Sequence, residues 1–280
     1  MTSEMRIDAL LPAEMARRAE YLGARKAEAP ALSTFTLAIL AGAFISLGAV
    51  FATTVAAGTS GILPFGVARL LVGLVFSLGL ILVTVGGAEL FTGNNLIVMA
   101  WASRKVTTRG MLRNWAIVYA GNLIGALGTA VLILISRQYT FGDGAVGVAA
   151  LAIAKAKVGL GFVEAFSLGI LCNALVCLAV WLTYSARSTV DKIASVIFPI
   201  TAFVAAGFEH SIANMYFIPV ALLIQDFDPA FMAGSGVETA GLTWVAFVAN
   251  LVPVTLGNVI GGSVLVAITY WFVFLRNGEP

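Results

Sequence analysis

The sequence predicts an all-α integral membrane protein with six transmembrane helices in an inverted repeat, in which helices two and five are broken. Three observations favour this fold: an apolar composition, six apolar segments of spanning length, and similar motifs in segments two and five. Of the 280 residues, 60% are hydrophobic and 11% are charged, whereas soluble domains carry about 25% charged residues. The net charge of +2 gives no reason to expect nucleic-acid binding.

The N-terminal region, residues 1–30, is predicted to be a cytoplasmic amphipathic helix ahead of a transmembrane domain of residues 31–280, with repeats at about 31–136 and 158–276. It contains five basic residues and no apolar stretch of a secretory signal peptide. Over residues 7–26 the apolar side chains share one helical face and the arginines fall largely elsewhere. The apolar residues are Leu11, Met15, Ala19 and Leu22, and the arginines are Arg17, Arg18 and Arg25.

Six apolar segments are long enough to cross a membrane, since a spanning helix needs about 20 apolar residues. All backbone polar groups must be satisfied inside a bilayer, so each segment is predicted to be helical. The segments are residues 34–57, 70–102, 111–135, 160–184, 193–224 and 243–275.

The distribution of lysine and arginine predicts that both termini are cytoplasmic. With the N-terminus inside, the inner segments hold twelve basic residues and the outer segments hold four. The twelve are Arg6, Arg17, Arg18, Arg25, Lys26, Arg104, Lys105, Arg109, Arg113, Arg187, Lys192 and Arg276, and the four are Arg69, Arg137, Lys155 and Lys157.

Segments two and five are longer than one straight span, and each has a glutamate near its centre. The 34 residues 70–103 contain Glu89 as their only charge, and the 32 residues 193–224 contain Glu209 near their midpoint. A long apolar helix can simply tilt, but tilting does not explain a central glutamate in each segment.

An internal repeat links these segments. The motif GAELFTGN at residues 87–94 shares its first glycine, its glutamate and its asparagine with GFEHSIAN at residues 207–214. In the same way, GNLIGA at residues 121–126 of segment three matches GNVIGG at residues 257–262 of segment six. Matching elements lie three segments apart, so the two halves are predicted to have opposite orientations in the membrane. Interrupted segments in such repeats meet near the bilayer centre.

The ionisable residues at the two centres are the candidates for function, because charged groups inside a membrane are costly and rare. We expect Glu89 and Glu209 to accept hydrogen bonds from backbone N–H groups that the breaks set free. Glu209 has a functional interpretation as well, a role in setting the state of His210, and the two can coexist. His210 is the only histidine, and Leu90 occupies the matching position, so the fold itself does not require a polar residue there. An imidazole exchanges protons near neutral pH. The alternative is a hydrogen-bonded histidine of the core.

Lys157 has two interpretations: a flanking lysine that extends to the membrane surface, or a collector of anions at the outer mouth. Cys172 and Cys177 point in different directions on one helix and are not expected to pair. One histidine and two cysteines in apolar sequence argue against a metal site, and no cofactor is predicted.

These motifs resemble those of the formate/nitrite transporter family over essentially the whole chain. The most specific is GFEHSIANMYFIP in segment five; FSLGLILVTVGGAELFTGN, PVTLGNVIGG and the N-terminal LLPAEMA are similar to other family motifs. The resemblance implies a homopentamer in the bacterial inner membrane, with one pore in each protomer and an aquaporin-like arrangement of the six helices. The amphipathic N-terminal helix is then expected at the cytoplasmic surface or over the inner mouth of the pore.

The resemblance also implies roles for single residues, by motif position. Phe76 and Phe203 would form an outer constriction, Leu80 and Phe91 an inner one, Thr92 would face His210 across the chamber between them, and Lys157, Asn173 and Glu209 would form a polar set at the outer vestibule. Asn94 and Asn214, together with Glu89, are interpreted as structural residues of the breaks. Formate channels carry aspartate where this chain has Glu89.

The implied function is passage of formate in both directions, as the anion or as formic acid with a proton. The partners expected are formate or a related small monovalent anion, the lipid bilayer and other copies of the chain, with no nucleic acid. His210 would donate a proton to formate or, when protonated, hold the anion, since a bare anion does not pass a phenylalanine constriction easily. The alternative is a nitrite or hydrosulfide channel of the same family. A membrane enzyme that uses Glu209 and His210 as an acid–base pair is disfavoured, because no nucleophile, metal set or cofactor motif accompanies them.

Overall fold

The chain is described by a computed structural model over residues 9–59 and 61–276, and in this part it consists of helices joined by short connections. The α-helices are α1 (Pro12–Glu28), α2 (Ala31–Ala56), α3 (Phe65–Gly86), α4 (Val98–Ala102), α5 (Thr108–Ser136), α6 (Ala145–Val158), α7 (Phe162–Ser185), α8 (Thr189–Ala206), α9 (Ser211–Phe227), α10 (Pro229–Ser235), α11 (Trp244–Val259) and α12 (Thr269–Phe274). There are 3₁₀ turns at Gly93–Ile97 and Gln138–Thr140 and a π-helical stretch at Ile260–Ile268. The described residues do not include 1–8, 60 and 277–280. Arg6, which contributes to the predicted topology, and Pro280 are therefore outside them.

Six helices in the described part are long and apolar enough to cross a membrane, which confirms the predicted number of spans. They are α2, α3, α5, α7, α8 and the continuous helix Trp244–Phe274, which joins α11, the π-helical stretch and α12. α6 was not predicted from the sequence. It is a 14-residue helix between spans three and four that carries Lys157 in its last turn.

The predicted breaks in helices two and five are present. α3 ends at Gly86 and the chain turns at Gly87, whose φ is 74°. α8 ends at Ala206 and the chain turns at Gly207, whose φ is 79°. Both values lie in the left-handed region, which glycine adopts without strain. The chain then continues as a 3₁₀ turn and α4 in the first half and as α9 in the second, so neither segment is one tilted helix.

Close contacts between helices depend on glycine in both halves. A Cβ atom added at Gly125 of α5 would lie 2.0 Å from the carbonyl oxygen of Ile39 in α2. One added at Gly261 would lie 2.1 Å from the carbonyl oxygen of Ile170 in α7. Small residues thus let these helices of a single chain approach one another closely.

α1 lies across one face of the bundle. Its apolar residues, including Met15 and Ala19, are buried against the first 3₁₀ turn and α4. Glu20 of the same helix forms an ion pair with Lys105, which follows α4. The chain crosses the bundle three times between α1 and α6, so α6 lies at the opposite face.

A hydrogen-bonded cluster ties the end of α9 to the α6 face. Asp228 accepts hydrogen bonds from the Tyr139 hydroxyl at 2.7 Å and from the Phe231 N–H at 3.0 Å. It also pairs with Arg137 at 3.1 Å. The bond from Tyr139 contributes most to a lowered pKa of Asp228, and the bond from Phe231 comes next.

Candidate functional site

Two cavities and a small chamber surround the breaks. The α1 cavity, about 230 Å³, is lined by Lys26 of α1 and by Glu89 of the first break. The Lys157 cavity, about 270 Å³, is lined by Lys157 of α6 and by Glu209 and His210 of the second break. Because α1 and α6 lie at opposite faces, one cavity lies toward each end of the bundle.

The central chamber, about 10 Å³, shares walls with both cavities. Leu80 and Leu90 line the chamber and the α1 cavity. Phe76, Phe203 and His210 line the chamber and the Lys157 cavity. A chamber of this size has room for about one water molecule. A pathway across the bundle therefore passes two narrow apolar places, one at the leucines and one at the phenylalanines, whose ring centroids are 5.7 Å apart.

Matching clusters of lysine, glutamate and asparagine line the two cavities. In each cluster a lysine Nζ pairs with the glutamate, at 2.9 Å for Glu89 and 2.7 Å for Glu209. The glutamate Oε2 accepts from the asparagine five residues later, at 2.7 Å in both clusters, and at Glu89 the lysine also reaches this oxygen at 3.0 Å. A second asparagine accepts from the first and donates to the backbone carbonyl of the lysine. The equivalent residues are Lys26 and Lys157, Glu89 and Glu209, Asn94 and Asn214, and Asn114 and Asn250.

Another pair of asparagines, Asn122 and Asn258, holds the backbone of the breaks. The side-chain amide nitrogen of each asparagine donates to two backbone carbonyls. One carbonyl lies in a neighbouring span, α2 for Asn122 and α7 for Asn258, and the other belongs to the glutamate of the break. The amide oxygen accepts from the backbone N–H two residues after that glutamate. All six distances lie between 2.8 and 2.9 Å, to Ala38, Glu89 and Phe91 for Asn122 and to Gly169, Glu209 and Ser211 for Asn258. At the two breaks these bonds satisfy backbone groups that the interruption leaves unpaired, and at Ala38 and Gly169 they tie each break to a neighbouring span. They also confirm the inverted repeat contact by contact.

The two glutamates bind side chains, which differs from the predicted contact with free backbone N–H groups. The asparagines take the backbone groups, and His210 caps α9, since its Nδ1 accepts from the Ala213 N–H at 3.1 Å. A lysine ammonium is the stronger partner for a carboxylate because the bond is charge-assisted at both ends. Glu89 and Glu209 therefore anchor a lysine and an asparagine at each break.

The hydrogen bonds of His210 determine which ring nitrogen carries the proton. Because Nδ1 accepts from the Ala213 N–H, the proton of the neutral imidazole is on Nε2. Nε2 lies 2.9 Å from Oγ1 of Thr92, so the ring donates this bond and the hydroxyl accepts it. His210 is 2% exposed, and its ring stacks on Phe203 with centroids 5.9 Å apart. The Nε2–H group is thus a polar donor beside the central chamber.

Asn173 is fully buried beside Thr92, whereas the resemblance implied a place at the outer vestibule. Its amide donates to the Thr92 carbonyl at 3.3 Å, to the Asn95 side chain at 2.7 Å and to the Asn258 carbonyl at 2.7 Å. Cys177 Sγ donates to the same Thr92 carbonyl at 3.3 Å. The side chain of Asn173 faces the first break from α7, so its contacts position Thr92.

Leu90, rather than Phe91, lies at the narrow place on the α1 side. Phe91 packs edge-on against Tyr119 and Trp115, with centroids 4.9 and 6.0 Å apart, and it is not among the described lining residues of the three cavities. From its position in the repeat, Leu90 was interpreted only as the counterpart of His210. In the structure it lines the chamber beside Leu80.

Sequence reasoning missed five residues of these clusters. Asn122 and Asn258 stand in the motifs GNLIGA and GNVIGG, so a signal was available. Lys26 was counted only as an inner basic residue of the N-terminal region, and Asn114 and Asn250 lie outside every recognised motif. The matched contacts begin at Lys26 in the first half and at Lys157 in the second.

An inverted repeat whose broken helices place a polar pair between two apolar constrictions is typical of helical membrane proteins that transport small solutes. A family model described as formate/nitrite transporter matches residues 13–272. The chain belongs to the formate/nitrite transporter family.

Individual relatives cover the chain almost completely. The formate channel FocA of Escherichia coli strain K12 is 49% identical over 284 residues, which cover 100% of this chain and 99% of the relative. The formate channel FocA of Haemophilus influenzae is 42% identical, with 93% of each chain covered. A solved structure described as a pentameric formate channel with formate bound has a TM-score of 0.82 and 47% identity, and covers 88% of this chain and 98% of its own. Another, described as an FNT family ion channel, has a TM-score of 0.77 and 27% identity, with coverage of 93% and 98%.

Proposed function

We propose that this protein is a channel that passes formate in both directions through the central chamber. The observation that carries the proposal is the Thr92–His210 pair, which places an N–H donor beside a chamber of about 10 Å³ between two apolar constrictions. Relatives that are 49% and 42% identical are formate channels, and a similar solved structure has formate bound. Passage requires no chemical conversion, and we propose no enzymatic reaction.

The size of the chamber favours a permeant of very few atoms. It has room for about one water molecule, and formate has only three heavy atoms, so small movements of the leucine and phenylalanine side chains admit it. The walls are otherwise apolar, and a bare anion is strongly disfavoured among apolar groups. The permeant must therefore receive a hydrogen bond or a proton from the one polar pair.

The neutral tautomer of His210 supports a first role as a hydrogen-bond donor, in which a formate oxygen takes the place of Thr92 at Nε2. Proton delivery requires an imidazolium: the Nε2–H proton passes to a formate oxygen, and formic acid and the neutral ring remain. An imidazolium carries hydrogen on Nδ1 as well, so the bond from the Ala213 N–H is lost during that step. Proton transfer thus opens the cap of α9 transiently, whereas hydrogen bonding alone leaves it intact.

A flux assay with His210→Asn tests both the function and the role of the ring. Formate uptake is measured per assembled channel in proteoliposomes from pH 5 to 8. If the ring supplies protons, the variant loses most of its flux at neutral pH and regains it toward pH 5, where formic acid forms in bulk water. If the ring only donates a hydrogen bond, the loss is similar at every pH. Equal flux in variant and wild type over the whole range would exclude both roles.

The same liposomes test the alternative function. Nitrite and hydrosulfide channels share the family's motifs, so each of these anions replaces formate in a parallel measurement. We expect formate to pass fastest. A wild-type protein that carries nitrite or hydrosulfide but not formate would overturn the proposed substrate.

We propose that five copies form a ring in which each chain has its own pore. The pathway lies within a single chain, and the similar structure of a formate channel is pentameric. Large apolar side chains such as Leu132, Ile135 and Phe198 are exposed on the single chain, and contact with lipid or with neighbouring copies covers them. Native mass spectrometry in mild detergent should show five copies, and a stable trimer or monomer would contradict the ring.

We propose that the protein lies in the bacterial inner membrane with both termini in the cytoplasm, so that the α1 cavity opens inward. The distribution of basic residues supports this orientation. A reporter enzyme that works only in the cytoplasm should be active when fused after Pro280. Activity of a periplasmic reporter at that site would reverse the orientation.

We propose that α1 controls access to the α1 cavity. Ala19, Leu22, Gly23 and Lys26 of this helix line it. Removal of residues 1–28 should change the pH dependence of formate flux while leaving the pore intact. Because the truncation also removes the Lys26 ion pair, Lys26→Met is the matched control. If the truncated protein has the same pH dependence of flux as Lys26→Met, α1 acts only through the ion pair of Lys26 with Glu89 and does not control access to the cavity.

A further inference from the structure

Arg69 of α3 lines the Lys157 cavity, and it has no role in the passage of formate proposed above. Its guanidinium donates to the carbonyl oxygens of Val204 and Ala205 at the end of α8, the latter at 3.0 Å. In the described part of the chain Arg69 forms no ion pair. It therefore brings a full positive charge to this cavity.

The charge of Lys157, in contrast, is compensated. Its Nζ lies 2.7 Å from the Glu209 carboxylate, with the two side chains only 14% and 5% exposed. The ammonium also lies 5.4 Å from the centre of the Phe217 ring. Opposite charges so close together largely cancel at the distance of an approaching ion. With His210 neutral, Arg69 is the source of the net charge of +1 among the described lining residues.

The α1 cavity has no equivalent charge. Its lysine and glutamate pair with each other, and its described lining contains no arginine. The turn at the first break closes with a bond from the Ala88 N–H to the Val83 carbonyl at 3.0 Å, and the turn at the second break closes with the equivalent bond at 3.0 Å. The first turn forms without a guanidinium at the equivalent place. The hydrogen bonds that Arg69 donates to the end of α8 are therefore not enough to explain why an arginine is present there.

We infer that Arg69 supplies the uncompensated positive charge that draws anions into the Lys157 cavity. Removal of one unit charge about 8 Å from an anion lowers its local concentration about two- to six-fold for effective dielectric constants of 80 to 40. Salt weakens the effect, because the Debye length is about 8 Å at physiological ionic strength. The inference deepens the proposed formate function and rests on it for its role, but the local potential can be measured without transport.

The first experiment measures this potential with Ala156→Cys, which places a thiol in the lining of the same cavity. The native Cys172 and Cys177 are buried and serve as an unreactive background. An anionic and a cationic methanethiosulfonate reagent are compared by the ratio of their reaction rates. Arg69→Gln should lower the anionic-to-cationic ratio of reaction rates at least about four-fold at low salt, because the anionic reagent reacts more slowly and the cationic reagent reacts faster. Arg69→Lys, which keeps the charge, should preserve the ratio.

Lys155→Gln is the matched control for a charge change at the same face. Lys155 is not in the described lining of the cavity and lies 3.6 Å from Glu238. This variant should leave the ratio within a factor of about two. An unchanged ratio in Arg69→Gln, or an equal fall in Lys155→Gln, would overturn the inference.

The second experiment measures formate flux from the α6 side at concentrations below saturation. Arg69→Gln should reduce the initial flux two- to six-fold at low ionic strength and much less at high salt or saturating formate. A purely structural role would lower flux equally under all of these conditions, which would overturn the inference. A wild-type protein without formate flux would overturn the proposed function instead, and the thiol reaction ratio would still decide the role of Arg69.

Discussion

Replacing Lys157 by methionine should destabilise the folded protein by about 3–5 kcal/mol, because the Glu209 carboxylate is left buried without its cation. At 2.7 Å and an effective dielectric constant near 20, the attraction is about 6 kcal/mol before the desolvation of both groups is subtracted. Asn250 binds the backbone carbonyl of Lys157 rather than its side chain. Methionine therefore removes the charge and retains this neighbouring contact and most of the apolar stem.

The assay is a thermodynamic cycle of Lys157→Met, Glu209→Gln and the double variant, measured as free energies of unfolding in mixed micelles. Glutamine keeps an oxygen that can accept the Asn214 hydrogen bond. The double variant buries no charge, so its loss of stability should be smaller than that of Lys157→Met by about 2 kcal/mol or more. Lys155→Met is the control: its partner Glu238 is 3.6 Å away and 81% exposed, so the loss should be about 1 kcal/mol or less.

Two results would refute this reasoning. If Lys157→Met is as stable as the wild type, the Glu209 carboxylate does not depend on its cation. If the double variant is as unstable as Lys157→Met, the loss arises from packing rather than from an unpaired charge. The equivalent variant at Lys26 should lose less stability, since its ion pair is more exposed, with side-chain exposures of 32% and 14%.

Further variants test the packing, the constriction and the α6 face. Gly125→Ala should cost about 3 kcal/mol or more, because its Cβ would lie 2.0 Å from a carbonyl oxygen of α2, whereas Gly128→Ala meets nothing within 4 Å and should be neutral; thermal unfolding compares them. Leu90→Ala should raise formate flux per channel several-fold if the leucines limit passage, while Leu78→Ala, at an exposed position, should not. The lowered pKa of Asp228 means that its contribution to stability is complete above its ordinary value of 3.8 and is lost as the pH falls through the lower folded-state value. As the pH is lowered below about 4, the melting temperature of the wild type should therefore decrease, and that of Asp228→Asn should decrease less steeply.

The spans and the breaks could be predicted because each follows from a local constraint on the chain. A bilayer requires a fixed length of apolar sequence, and a break in a helix requires a residue that tolerates a positive φ. Gly87 and Gly207 satisfy that requirement at equivalent positions. The glutamate two residues later in each motif indicated that the two breaks are equivalent. A few matching residues were therefore enough to predict the inverted repeat.

The contacts of the site could not be predicted in the same way, because they depend on how helices are rotated. Asn173 was matched by motif, but only the structure shows that α7 turns it toward the first break. Lys26 and Lys157 lie on helices outside the spans, where no length rule or repeat motif marks them. Their equivalence emerges only when α1 and α6 are placed at opposite faces and each lysine meets its glutamate.

The inverted repeat explains where the polar pair is located. Equivalent residues of the two halves line the central chamber together: Ile45 with Val176, Leu80 with Ile200, and Leu90 with His210. An exact repeat would give the chamber the same apolar wall on both sides.

Besides the two phenylalanines of the chamber, Phe76 and Phe203, whose equivalents are Val196 and Val83, the chain departs from symmetry at two neighbouring positions of the breaks. The second half has His210 where the first has Leu90, and the first half has Thr92 where the second has Ile212. These two exchanged residues are the ones that bind each other across the halves at 2.9 Å. The shared residues thus build a scaffold of two similar breaks, and the exchanged residues supply a donor and an acceptor beside the central chamber. His210→Leu removes both the Nε2–H donor beside the chamber and the side-chain cap of α9, whereas the contacts of Glu209 with Lys157 and Asn214 do not involve the ring. Formate flux per assembled channel should therefore fall while the ion pair of Glu209 is retained.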